Sequence, residues 1–181
     1  MRAHIVGNGP SWKNFSKIRQ TDFVIGCNIT RVLGADVTFL SDIKILHKIC
    51  EKIVYPDCPI IANRKVDEWL KTNKNVSKIQ PPLKVFDTYI ADWEISDAPQ
   101  LSSAHYGAQW ALKNGFTEIH VWGCDSLSEG HMFSYTDEIK PSAAKESKSQ
   151  TQNTVQKWIE GWEKIIENNP QAKIILHNLS K

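Results

Sequence analysis

Short apolar runs separated by amphipathic stretches recur along the whole chain, and that alternation leaves few folds open. "AHIVG" (3–7), "DFVIGC" (22–27), "DVTFLS" (36–41), "PIIAN" (59–63), "EIHVWGC" (118–124) and "KIILHN" (173–178) are short, rich in β-branched residues and bounded by Gly, Asp, Asn or Pro, as buried strands are. "LKVFDTY" (83–89) is a weaker case. Helical spacing lies between them. Ile43, Leu46, Ile49, Cys50 and Ile53 keep one face of 42–53 apolar, and 102–114 and 154–168 repeat the pattern. In the last of these Trp158, Trp162, Ile165 and Ile166 form the stripe, which reads as core packing. Strands alternating with helices predict a single Rossmann-like α/β domain over 1–181, a mostly parallel sheet with helices on both faces.

Composition narrows the partners. With 41% apolar and 23% charged residues, 181 residues suffice for one ordinary core. The net charge of +2 gives no nucleic-acid signal. No apolar run reaches the roughly 20 residues of a membrane helix, and the first residues lack a signal-peptide core, so a cytoplasmic location is expected. Cys27, Cys50, Cys58 and Cys124 show no Cys-x-x-Cys spacing and read as buried free thiols. Oligomeric state is not legible.

One stretch breaks the rhythm. Residues 126–153, "SLSEGHMFSYTDEIKPSAAKESKSQTQN", hold no sustained apolar period. A long polar loop in a compact domain reads as a lid or mobile segment, here with His131, Phe133 and Tyr135 in its first half.

The chain's first strand ends in "GNGPS" (7–11). Glycines let a backbone approach an anion closely, and proline suits the first turn of a helix, whose free N–H groups face the ligand. Gly7, Asn8, Gly9, Pro10 and Ser11 are therefore phosphate-turn candidates, although the same residues also build a plain strand-to-helix turn. The third glycine of the dinucleotide fingerprint is missing. Other strand ends add to the pattern: Asn28 in "GCN", Ser41 and Asp42 in "LSD", and Asp125 in "WGCDS". Ser102, Ser103 and His105 open the helix "LSSAHYGAQWAL". Asp42 and the serines are equally good helix caps. Small polar residues at the carboxyl ends of several elements form a crevice suited to a nucleotide.

The order "IVGNGPS", "GCN", a serine-rich helix start, then "WGCDS…G…SYTD" resembles the bacterial sialyltransferases that use CMP-activated sialic acid. It is also similar to archaeal hydroxymethylpterin diphosphokinases, which begin on the same pentapeptide. The resemblance covers roughly 1–137. It implies a Rossmann-like domain in which Asn8, Asn28, Ser102 and Ser103 contact the nucleotide, with Tyr135 on the leaving phosphate. The chain departs from that family at several places, among them His105, which stands near where the family prefers small or apolar residues. Leu127 stands where the family has a second tyrosine, and "KESKSQTQ" replaces the segment that carries its catalytic histidine.

Three readings follow. The first is a small glycosyltransferase using a nucleotide-sugar. It needs no metal if backbone N–H groups, Tyr135 and Lys13 or Arg31 meet the phosphate charge. His131, or failing that His105, would be the base that deprotonates the acceptor hydroxyl. The second is a diphosphokinase-like transferase requiring Mg²⁺ on Asp42 and Asp125. The third is a protein that binds or sequesters a nucleotide without catalysis.

Overall fold

The computed structural model describes residues 1–15, 22–28, 34–41, 58–62, 66, 68–69, 72, 83–85, 101–125, 127 and 148–177. Its strands are β1 (Arg2–Val6), β2 (Phe23–Cys27), β3 (Val37–Leu40), β4 (Ile60–Ala62), β5 (Leu83–Val85), β6 (Glu118–Trp122) and β7 (Lys173–His177). Among the described residues, the helices with defined bounds are α1 (Trp12–Phe15), α2 (Ser103–Lys113) and α3 (Lys148–Glu167). The strands form one seven-stranded sheet in the order β5-β4-β3-β2-β1-β6-β7, with every neighbouring pair parallel. Each expected strand is present, β5 among them. The helix read over 42–53 falls outside the described residues.

Alternation along the strands sorts the two faces. Ala3, Ile5, Ile25, Phe39, Ile119 and Val121 pack beneath Ala104, Ala108, Trp162 and Ile165 of α2 and α3. Val6, Val24 and Trp122 face the other way, onto Phe15 of α1. Fully burying a side chain such as Ile25, Phe39 or Ile119 stabilises by about 1.5–3 kcal/mol. The apolar face under α2 and α3 is therefore the main adhesive of the fold. Cys27, Cys58 and Cys124 are buried free thiols, as expected; Cys50 is outside the described residues. Among the described residues no helix is long and apolar enough to cross a membrane.

Two expectations need correcting. The polar segment was expected to run as a loop to residue 153, but α3 begins at Lys148. Its opening residues, "KSQTQN", offer no apolar stripe in the sequence. The stripe is also rotated: Val155, Trp162 and Ile165 are buried, while Ile166 is 44% exposed. Ile166 follows Ile165 by one residue, about 100° further around the helix, and so leaves the buried face.

The face opposite α2 and α3 carries a row of histidines on adjacent strands. His4 pairs in register with His120, and Trp122 with His177. The Trp122 indole N–H donates to His4 Nδ1 at 3.2 Å, which leaves His4 Nε2–H to donate to Asp22 at 3.2 Å. Glu118 Oε1 accepts from His120 Nε2 at 3.0 Å, and His120 Nδ1 then accepts from His177 Nε2 at 2.7 Å. The His177 ring lies flat on Trp122 with centroids 3.7 Å apart. Burial pushes the pKa values of His4 and His177 down, with neighbouring His120 adding to both shifts.

Candidate functional site

The sheet order places β1 inside the sheet, with β2 on one side and β6 on the other. Winding runs outward from β1 to β5 and then returns to β6, so the reversal lies between β1 and β6. Crevices in open α/β sheets form beyond the carboxyl ends of strands at such a reversal. A cleft opens there in this protein. Its walls include Asn8 after β1, Cys27 and Asn28 at the end of β2, Ser102 and Ser103 at the start of α2, and Trp158 and Trp162 of α3.

Asn28 has φ +57°, a left-handed conformation that asparagine tolerates better than most side chains. Its N–H donates to the Phe39 carbonyl at 2.8 Å, and its own carbonyl accepts from Thr38 Oγ1 at 2.9 Å. The backbone is thus held from both sides. The amide oxygen accepts from Ser103 Oγ at 2.9 Å, and Ser103 Oγ lies 2.9 Å from Ser41 Oγ. Residues 75 positions apart in the chain are therefore in direct contact. Asn8 Nδ2 donates to the Cys27 carbonyl at 3.3 Å, while Asn8 Oδ1 is buried with no partner among the described residues. The indole N–H of Trp162, on the facing wall, is likewise buried and unpartnered. Buried polar groups are almost always paired, so an acceptor and a donor left over in one cleft mark groups that a ligand can satisfy.

The glycines of the opening turn pack against the turn after β6. Gly7 N–H donates to Trp122 O and Gly9 N–H to Gly123 O, both at 2.8 Å, so the turns after β1 and β6 stay stitched beyond the strands. A Cβ at Gly7 would lie 2.5 Å from Gly123 O, and one at Gly9 would collide with the Asp125 carboxylate. At both positions the neighbouring turn leaves no room for a side chain. Ser11 and Asp125 belong to the same joint. Asp125 Oδ2 accepts from Ser11 N–H at 2.9 Å and from Ser11 Oγ at 3.0 Å, and Ser11 Oγ accepts from Gly123 N–H at 2.8 Å. Ser11 is 1% and Asp125 0% exposed.

Of the residues expected to bind nucleotide, Gly7, Asn8, Asn28, Ser102 and Ser103 line the cleft. Gly9, Pro10, Ser11 and Asp125 are not among its lining residues; Gly9, Ser11 and Asp125 meet in the joint between the turns after β1 and β6. Asp42, His131, Tyr135 and Arg31 lie outside the described residues, as does the expected lid apart from Leu127 and the start of α3. Lys13 sits exposed on α1, away from the cleft.

His105 lines the cleft but is unsuited to act as a base. Ser102 N–H donates to its Nδ1 at 3.2 Å, so the ring proton is on Nε2 and goes to the Trp158 carbonyl at 2.8 Å. No lone pair remains for an acceptor hydroxyl, and full burial lowers its pKa to about 4. Burial likewise pushes the Cys124 thiol up to about 12 and the Cys27 thiol well above its ordinary value, which keeps both unreactive. Among the described residues no cluster of three or more His, Cys, Asp or Glu is placed to hold a metal. Sequence reasoning read the tryptophan stripe as core. Trp162 is core, at 2% exposed, and both indoles also wall the cleft. The only signal for that second role was the tryptophans' position directly after the polar segment.

No family model matches the chain, and no curated protein matches it by sequence. Solved structures do share its fold. The sialyltransferase CstII from Campylobacter jejuni, in complex with the substrate analogue CMP-3FNeuAc, superposes with a TM-score of 0.55 at 16% identity. The match covers 97% of this chain and 79% of that one. Two CstII variants in complex with CMP give TM-scores of 0.58 at 18% identity, over 97% of this chain and 80% or 81% of theirs. The chain thus has a sialyltransferase-like α/β fold.

Proposed function

We propose that this protein is a transferase that binds a CMP-activated sugar in the cleft between β1, β2, β6 and α2 and passes the sugar to an acceptor hydroxyl. The observation that carries this reading is the convergence of Asn8, Asn28, Ser102 and Ser103 from three separate elements on one cleft at the sheet's reversal. The fold shared with CstII, which binds CMP and a CMP-sugar analogue, supports the choice of nucleotide.

In the proposed reaction the asparagine amides and serine hydroxyls hold ribose and phosphate. The acceptor oxygen bonds to the anomeric carbon as the bond from that carbon to the phosphate oxygen breaks. CMP leaves with the bond's electrons, and the hydroxyl proton passes to a base, for which His131 is proposed. Tyr135 is proposed to donate to the leaving phosphate. All of the described lining residues are neutral groups. That favours binding through hydrogen bonds over the Mg²⁺-dependent scheme, in which Asp125 would have to leave Ser11.

Titration calorimetry with CMP, UDP, GDP and ATP, each with and without Mg²⁺, tests the reading. CMP is expected to bind without metal, and Asn28→Ala to weaken it by about tenfold, the equivalent of one lost buried hydrogen bond. Binding of ATP alone, and only with Mg²⁺, would overturn it. A second reading, nucleotide binding without transfer, draws on Leu127, which lines the cleft where the resembling family carries a tyrosine. Tight CMP binding with no CMP release from CMP-sialic acid across a panel of acceptor sugars would establish that one.

A further inference from the structure

His105 forms hydrogen bonds to two elements of this wall of the cleft at once. It occupies the third position of α2 and is fully buried. Ser102 N–H and Ser102 Oγ both lie within reach of Nδ1, at 3.2 and 2.7 Å. This is a capping box closed by an imidazole where glutamate or glutamine is usual. A backbone N–H can only donate, so Nδ1 accepts and the proton resides on Nε2, which donates it to the Trp158 carbonyl of α3 at 2.8 Å. The ring also packs on Trp162, with centroids 4.6 Å apart. The helices approach this closely because residue 161 is glycine. A Cβ there would stand 2.6 Å from Leu101 and 3.0–3.1 Å from the imidazole.

Few side chains can do both jobs. A carboxylate accepts only and a lysine donates only, whereas a neutral imidazole offers one acceptor and one donor on opposite sides of a rigid ring. One end holds the turn that carries Ser103, and hence the bond to Asn28. The other end holds the helix that carries both tryptophans of the cleft wall.

We propose that His105 is a positioning residue that latches α3 to the Ser102–Ser103 turn, so that this single side chain sets the spacing of the cleft walls and with it the affinity for ligand. For the identity of that ligand the inference rests on the reading above. The latch also gives ligand binding a route to α3. Occupying the cleft stabilises the Ser103 side, and the imidazole transmits that order to Trp158.

The test uses the full chain with CMP as probe. His105→Asn puts an amide oxygen near the Nδ1 position, keeping the cap, but does not reach Trp158. His105→Gln extends an amide donor towards the Nε2 position. Gly161→Ala pushes α3 away with the imidazole intact. His105→Asn and Gly161→Ala are expected to weaken CMP binding about tenfold, as loss of one buried hydrogen bond does, and to speed amide exchange over residues 154–166. His105→Gln is expected to restore most of both. Ile119→Val, in the same core but on β6, is the control for lost stability alone and should leave CMP affinity within about twofold. CMP affinity unchanged in His105→Asn, or lowered as much by Ile119→Val, would overturn the latch. If the wild-type protein binds no nucleotide, the ligand assignment fails instead. The latch is then judged in the ligand-free protein, where equal exchange over 154–166 in wild type and His105→Asn would overturn it.

Discussion

Polar side chains enter the interior of this fold in two regions, and they are satisfied differently. On the sheet face that packs against α1, the chains Trp122–His4–Asp22 and His177–His120–Glu118 run donor to acceptor and end on carboxylates at the rim. Arg2 reaches both carboxylates at 3.3 Å, and Lys173 approaches Glu118 at 3.6 Å. That network is closed. At the carboxyl edge the bonds among Asn8, Asn28, Ser41, Ser103 and the strand ends hold the backbone in place but leave an amide oxygen and an indole N–H over. The first network is satisfied by its own members, whereas the second leaves polar groups without a partner among the described residues, which is what the proposed ligand would meet.

Three measurements can break or sharpen that contrast. The largest effect is expected from carboxylates. Asp125→Ala leaves Ser11 with two buried donors unpaired and should cost about 3–5 kcal/mol in urea unfolding. Asp22→Ala, on the exposed rim of the histidine row, should cost about 1 kcal/mol or less. Equal losses would mean that the two networks do not differ as described.

Acid titration comes next. His105 has a folded pKa of about 4, below the ordinary 6.5, so between those values the unfolded chain binds the proton and the folded one refuses it. Stability is therefore full above pH 6.5 and falls as pH drops towards 4, by roughly 3 kcal/mol from this residue. His4 and His177 are depressed as well and act in the same direction. Glu118, held at about 2 chiefly by its bond to His120, adds a separate step: its contribution is present above pH 4.5 and lost as pH falls through 2. His105→Gln should flatten the slope between pH 6.5 and 4. An unchanged slope in chemical denaturation would assign the acid step to the histidine row.

A small effect is also expected from His177→Phe, which keeps a ring on Trp122 and removes the hydrogen bond to His120. It should cost about 1 kcal/mol and leave CMP affinity untouched. A change in CMP binding would show that the row and the cleft communicate through the sheet.

The strands were legible because those of a parallel sheet are covered on both faces and read as continuous apolar runs. The first turns of α3 were not, since "KSQTQN" has no apolar face and its helicity depends on being continuous with the packed part. At the site, Asn28 and Ser103 could be placed together because each ends an element at the carboxyl edge. Ser11 and Asp125 end elements there too. A polar residue facing a neighbouring turn has the same local sequence as one facing a ligand, and only the 114-residue separation bridged by their bond distinguishes them. The glycines posed the same ambiguity: close approach was legible, and the turn after β6 is one partner that approaches. His105 looked like a reactive group because sequence cannot show that both its nitrogens are engaged. The histidine row left no trace, since each member stands alone in an apolar run and its partners come from other strands.

The interior position of β1 has a consequence for biosynthesis. One neighbour, β2, follows it almost at once, but the other, β6, is 116 residues later in register. At a translation rate of about 5–20 residues per second, β1 waits roughly 6–23 s for that partner. During that interval the half-sheet β1–β5 has an open edge, lined on one face by Ala3 and Ile5, that another nascent chain can pair with. Chaperone dependence and loss to inclusion bodies should therefore respond to codon usage between residues 30 and 115 more than to changes in the stability of the finished fold.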